Sequence, residues 1–132
     1  MNEIQINAPL TLNALAIKCN DPGMPVRELD PGNNTKVYEN TSGTVVAVCV
    51  TVAPQGSQQG SVIVDIAPPT GGGQWEWLRV GAHHVDAYGT QAHHIHGAIT
   101  FLVPPGYYYK ASAIAYVYLL HWFEWYLVPV RL

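Results

Sequence analysis

The sequence predicts an all-β fold, a jelly-roll-like β-sandwich, on three observations. Short β-branched and aromatic runs alternate with clusters of Gly, Pro, Asn and Ser. Twelve glycines and ten prolines punctuate the 132 residues. No apolar stretch keeps a 3.6-residue period over three clean turns. A chain of this length fits a single domain.

Residues 1–34 read as an extended N-terminal arm or linker, with only Leu10 to Ile17 patterned as a strand. Asp21-Pro22-Gly23, Met24-Pro25 and Asp30-Pro31-Gly32 are turn chemistry. The head domain is expected over 35–132. Its first strand, Val45 to Val52, places four valines on one face and Ala47, Cys49 and Thr51 on the other. Ser61 to Ile66 and Trp75 to Val80 follow, each after a polar or Pro/Gly loop. A histidine-rich connection is expected from Gly81 to Gly97. Ile99 to Val103 and Tyr107 to Ala113 flank Pro104-Pro105-Gly106 and read as a β-hairpin. Pro105-Gly106 suits the centre of a type II turn, where Gly supplies the positive φ. Tyr116 to Leu120 and Trp122 to Val130 close the chain. Period-two alternation sets Trp122, Glu124 and Tyr126 on one face and Phe123 and Trp125 on the other.

Charge is scarce. Only 11% of residues are Asp, Glu, Lys or Arg, against about 25% in ordinary globular domains. A monomer of this size exposes about 6,800 Å², and few charges cover it. Several strands are apolar on both faces, which implies packing on a neighbour. A tight homo-oligomer follows as the expectation. The six Lys and Arg are scattered and the net charge is −3, which argues against nucleic-acid binding. No apolar run is long enough to span a membrane as a helix, and no secretory signal is apparent. Cys49, within Val46 to Val50, reads as a buried thiol acting as a small hydrophobe. A Cys19–Cys49 disulfide is the alternative, disfavoured without secretion.

Catalytic patterns are poor. Asp65, Glu76, Asp86 and Glu124 stand singly rather than as a facing pair. No Gly-x-Ser-x-Gly occurs, and Gly71-Gly72-Gly73 lacks the lysine and helix of a phosphate loop. His94-Ile95-His96 puts two imidazoles on one face of an extended segment. Three such pairs on a three-fold axis would supply six nitrogens to a transition-metal ion. The alternative is a polar, hydrogen-bonded loop; no cofactor is required. A His-x-His followed by Pro-x-Gly is also similar to cupins, but the expected Glu and third His are missing. A small cupin-like metal-dependent enzyme is thus the least favoured reading. Aromatic residues are the remaining signal. Trp75, Trp77, Tyr107, Tyr108 and Tyr109 offer flat apolar faces for a ligand, with core packing as the alternative for each.

The chain resembles the C-terminal head of bacteriophage tail fibres over roughly residues 36–130. Tyr38-Glu39-Asn40-Thr41-Ser42-Gly43-Thr44 before a Val-rich strand is similar to the family's opening stretch. Ile99-Thr100-Phe101-Leu102-Val103-Pro104-Pro105-Gly106, followed by Tyr109, resembles its Pro-Pro-Gly turn. Trp122-Phe123-Glu124-Trp125 resembles its closing strand. The resemblance implies a homotrimer of β-sandwich protomers, made in the host cytoplasm and carried on the virion tail beside other tail proteins. It implies recognition of a bacterial surface polysaccharide and no enzymatic activity. A structural virion component, in the baseplate or as decoration, is the alternative. The chain departs from the family in lacking a long stalk and in its histidine-rich connection.

Overall fold

A computed structural model describes residues 10–56, 58–69, 74–85 and 96–131. The described residues are all-β, with eight strands and no helix. The strands are β1 (Leu10–Lys18), β2 (Tyr38–Glu39), β3 (Val46–Pro54), β4 (Gly60–Ala67), β5 (Leu78–Val85), β6 (Gly97–Val103), β7 (Tyr108–Ile114) and β8 (Val117–Arg131). They form two four-stranded antiparallel sheets, ordered β1-β8-β3-β6 and β2-β7-β4-β5.

Both sheets contribute to one core. Val46, Val48, Val50 and Val52 of β3 are buried together with Val62, Val64 and Ile66 of β4. This is the valine alternation of β3 read directly from sequence: branched side chains inward, small ones outward. Trp122 and Glu124 of β8 point inward and are 0% exposed, while Trp125 is 43% exposed. Cys19, rather than Cys49, is the buried thiol; Cys49 lies on the outer face of β3, half-buried, and both cysteines are free.

Three expected elements are placed differently. The third head strand runs over Leu78–Val85, not Trp75 to Val80. Trp75 and Trp77 therefore precede it, and His83 and His84 belong to it rather than to a connection. Gly81 looks like a strand breaker but marks a close approach: a Cβ there would lie 2.6 Å from Ile99 Cδ1. Gly97 does the same on β6, where a Cβ would meet His83 Cδ2 at 2.3 Å and Val85 Cγ2 at 2.8 Å. These two glycines let β5 and β6 close one side of the core. Second, the last two expected strands are one 15-residue strand. The break expected near His121 is instead an irregularity in pairing, where Thr51 faces His121 and Val52 faces Leu119; an extra residue is absorbed as a bulge.

Third, Ile99 to Ala113 is not a hairpin, because β6 and β7 lie in different sheets. The turn itself is as expected: Gly106 has φ 80° and the Tyr107 N–H donates to the Pro104 carbonyl at 3.2 Å. The two prolines end the first ladder, and the chain crosses to the second sheet.

Within the expected arm, β1 pairs with β8 from Leu10↔Arg131 to Lys18↔Phe123 and forms an edge of the first sheet. Residues 27–36 then pack over the molecule. Asp30 bridges to Ser112 of β7 and its buried carboxylate accepts N–H bonds from Gly32, Asn34 and Lys36.

Candidate functional site

The three motif segments converge in the core. β2 pairs with β7, so that Tyr38 lies opposite Tyr109. The Tyr38 ring meets the rings of Tyr109 at 5.9 Å and Trp122 at 5.8 Å. Asn40 is 3% exposed and clamps the Pro-Pro-Gly turn. Its Nδ2 donates to the carbonyls of Thr44 (2.8 Å), Val103 (3.0 Å) and Pro104 (3.2 Å). Its main chain bonds Gly106 and Tyr107.

Glu124 sits at the centre of this assembly. Oε2 accepts from Tyr109 Oη at 2.6 Å, Trp122 Nε1 at 3.0 Å and Arg27 Nε at 3.2 Å. Oε1 accepts from Tyr126 Oη at 2.6 Å. The Arg27 guanidinium also lies 4.3 Å from the Tyr38 ring centre. Burial pushes the Glu124 carboxyl up, but the Tyr109 and Tyr126 hydroxyls, the Arg27 charge and the Trp122 N–H outweigh it, so it titrates below its ordinary value. Burial, then the Glu124 charge, push the Tyr109 and Tyr126 hydroxyls up. Every partner of this carboxylate is thus held in its donor form. The arrangement is structural chemistry: a buried charge with an ion partner and three further donors.

The five expected ligand-contact residues separate accordingly. Tyr109 is 2% exposed and bonded to Glu124, so its ring cannot stack on a ligand outside the fold. Tyr107 packs against the core and its backbone closes the turn. Trp75, Trp77 and Tyr108 form a separate group on the outer side of the second sheet. The Trp75 ring lies 5.6 Å from that of Trp77 and 5.8 Å from that of Tyr108. All three are half-buried. Lys110 Nζ lies 4.4 Å from the Trp77 ring centre and donates to Asn34 Oδ1. Lys110 faces Asp65 across the ladder, and Asp65 faces Arg79. Arg79 Nε lies 3.3 Å from Asp65 Oδ1, and its side chain is 60% exposed. Aromatic surface therefore adjoins a row of alternating charge.

The expected metal ligands are His94 and His96. His94 lies outside the described residues, and His96 is exposed just before β6. Among the described residues, no group of three or more His, Cys, Asp or Glu could hold a metal ion. His84 Nδ1 lies 3.0 Å from Ser61 Oγ across β4 and β5. An open pocket of about 330 Å³ lies elsewhere, lined by residues that include Glu28, Leu29, Val117 and Tyr118. Its one carboxylate, Glu28, is engaged by Lys36 Nζ at 2.7 Å.

Comparison with protein families, with curated proteins and with solved structures returned no match.

Proposed function

We propose that this chain is the receptor-binding head of a bacteriophage tail fibre, a homotrimer of β-sandwich protomers with an N-terminal arm that binds a bacterial surface glycan without enzymatic activity. The observation that carries the binding role is the Trp75–Trp77–Tyr108 group. Three half-buried rings, with Trp75 within 6 Å of both Trp77 and Tyr108, present an apolar surface beside an antiparallel sheet. Pyranose rings offer C–H faces that suit such a surface, and their hydroxyls need polar groups beside it. Arg79 supplies a donor on the same sheet. A rigid aromatic platform loses little entropy on binding. Scarcity of charge, with large exposed side chains such as Leu102 and Trp125, supports assembly.

The fibre reading rests on the three motif segments. Their convergence around Glu124 and Asn40 gives each a place in a single packing unit. Binding of labelled protein to bacterial cells, with extracted surface polysaccharide as competitor, tests the function. The reading requires saturable binding that the polysaccharide removes. Failure to bind any of a broad panel of bacteria would instead favour a virion component with no ligand.

A further inference from the structure

The outer face of the first sheet is poor in charge and ridged, and no other described element covers it. Across the sheet in spatial order, one rank reads Ala16, Trp125, Ala47, Leu102. The next reads Lys18, Phe123, Cys49, Thr100. Large side chains thus stand on β8, where Leu127 and Trp125 are 44% and 43% exposed. Beside them, Ala47, Cys49 and Thr51 of β3 leave a shallow furrow, and Leu102 on its far side is 62% exposed. Lys18, on the edge strand, is the only Lys, Arg, Asp or Glu in these ranks.

We propose that this face is where copies of the chain meet, the β8 ridge of one protomer lying in the β3 furrow of the next. This rests on the oligomeric reading above and assigns its interface. Self-association sets regions of one surface against each other, so a face bearing several like charges would repel itself. The two ranks above hold a single charge, Lys18, on the edge strand. A partner selected by charge would find little to recognise in the centre of these ranks, where Trp125, Ala47, Phe123 and Cys49 stand. Four strands about 4.8 Å apart and roughly seven residues long, extended along β1 and β8, cover on the order of 500 Å² in plan. Ridges raise the accessible area toward the ~800 Å² per partner of stable interfaces. Pairing would also cover Trp125, Leu127 and Leu102, three of the large apolar side chains that a monomer leaves in water.

Cys49 makes the proposal testable without a probe being introduced. It lies in the furrow, whereas Cys19 is 2% exposed and burial pushes its thiol up to about 11. A maleimide therefore reaches Cys49 first. Labelling rate and light-scattering mass are measured together over a range of protein concentrations, for the wild type, Leu102→Glu and Val80→Glu. Val80, 45% exposed on the second sheet, is the control. The wild type is expected to be oligomeric, with Cys49 labelling slowing as concentration rises. Leu102→Glu should weaken association on the order of 100-fold, since it buries an unpaired charge, and should label fast. Val80→Glu should behave as wild type. Thr100→Glu, at an exposed polar position of the same face, repeats the test should Leu102→Glu not fold. An oligomer in which Cys49 labels fast at every concentration, and which Leu102→Glu and Thr100→Glu leave intact, overturns the interface but leaves the oligomer standing. A wild-type monomer at all concentrations overturns both.

Discussion

At position 124 a carboxylate stands between two aromatic residues of the same strand face, out of reach of water. Its four donors come from Arg27, Tyr109, Trp122 and Tyr126. Replacing Glu124 with Gln keeps the shape, removes the charge and leaves Arg27 without its ion partner. A loss of about 3 kcal/mol is expected, read as a lower urea midpoint. The sign with pH follows from the lowered folded value. The carboxylate's stabilisation is fully present above the unfolded value near ~4.3 and is lost as pH falls through the lower folded value. The gap between wild type and Glu124→Gln should therefore be constant at neutral pH and narrow in acid; a gap that widened in acid would contradict this. Half of this site was legible in sequence. Alternation put Glu124 on a face with Trp122 and Tyr126, and a carboxylate there needs donors. Their identity was not legible, because Arg27 and Tyr109 lie 97 and 15 residues away along the chain.

Among the elements, β3 was the most legible, since one buried valine face is a strict period-two signal. β5 was not. Trp75 to Val80 alternates as well as any strand, yet the ladder takes Leu78–Val85 because Gly81 must sit where Ile99 approaches. Glycine as a breaker and glycine as a contact look the same in one dimension. Gly97→Ala should cost about 1–3 kcal/mol, because Val85 is buried and cannot yield to the new methyl group. Thermal melting measures this, and an unchanged midpoint would mean that β5 and β6 are less tightly joined. The Pro-Pro-Gly turn is legible as a turn but not as a crossover between sheets, since turn chemistry does not say which sheet receives the next strand. Asn40 supplies what local sequence lacks, a clamp from a distant segment. Asn40→Ala removes its three donated bonds and should cost about 2 kcal/mol; Asn40→Asp should also destabilise, because a carboxylate cannot donate to the same carbonyls.

At the scale of the whole molecule, the motif residues that build the core and the Trp75–Trp77–Tyr108 group are different sets. Tyr38, Asn40, Tyr109, Trp122 and Glu124 lock the two sheets together from inside. Trp75, Trp77 and Tyr108 lie outside that lock, on the second sheet. The proposed self-association face is on the first sheet, so assembly and ligand contact would occupy different sheets of one protomer. Composition leads to the expectation of burial between copies, but which face is poor in charge emerges only once register aligns four strands. The most direct test of the account is glycan-array binding by the wild type and by Trp75→Ala, with melting temperatures of both. The wild type should bind bacterial surface glycans, and Trp75→Ala should bind roughly tenfold more weakly with its melting temperature unchanged. Absence of glycan binding by the wild type, or a loss of binding matched by a loss of stability, would contradict it.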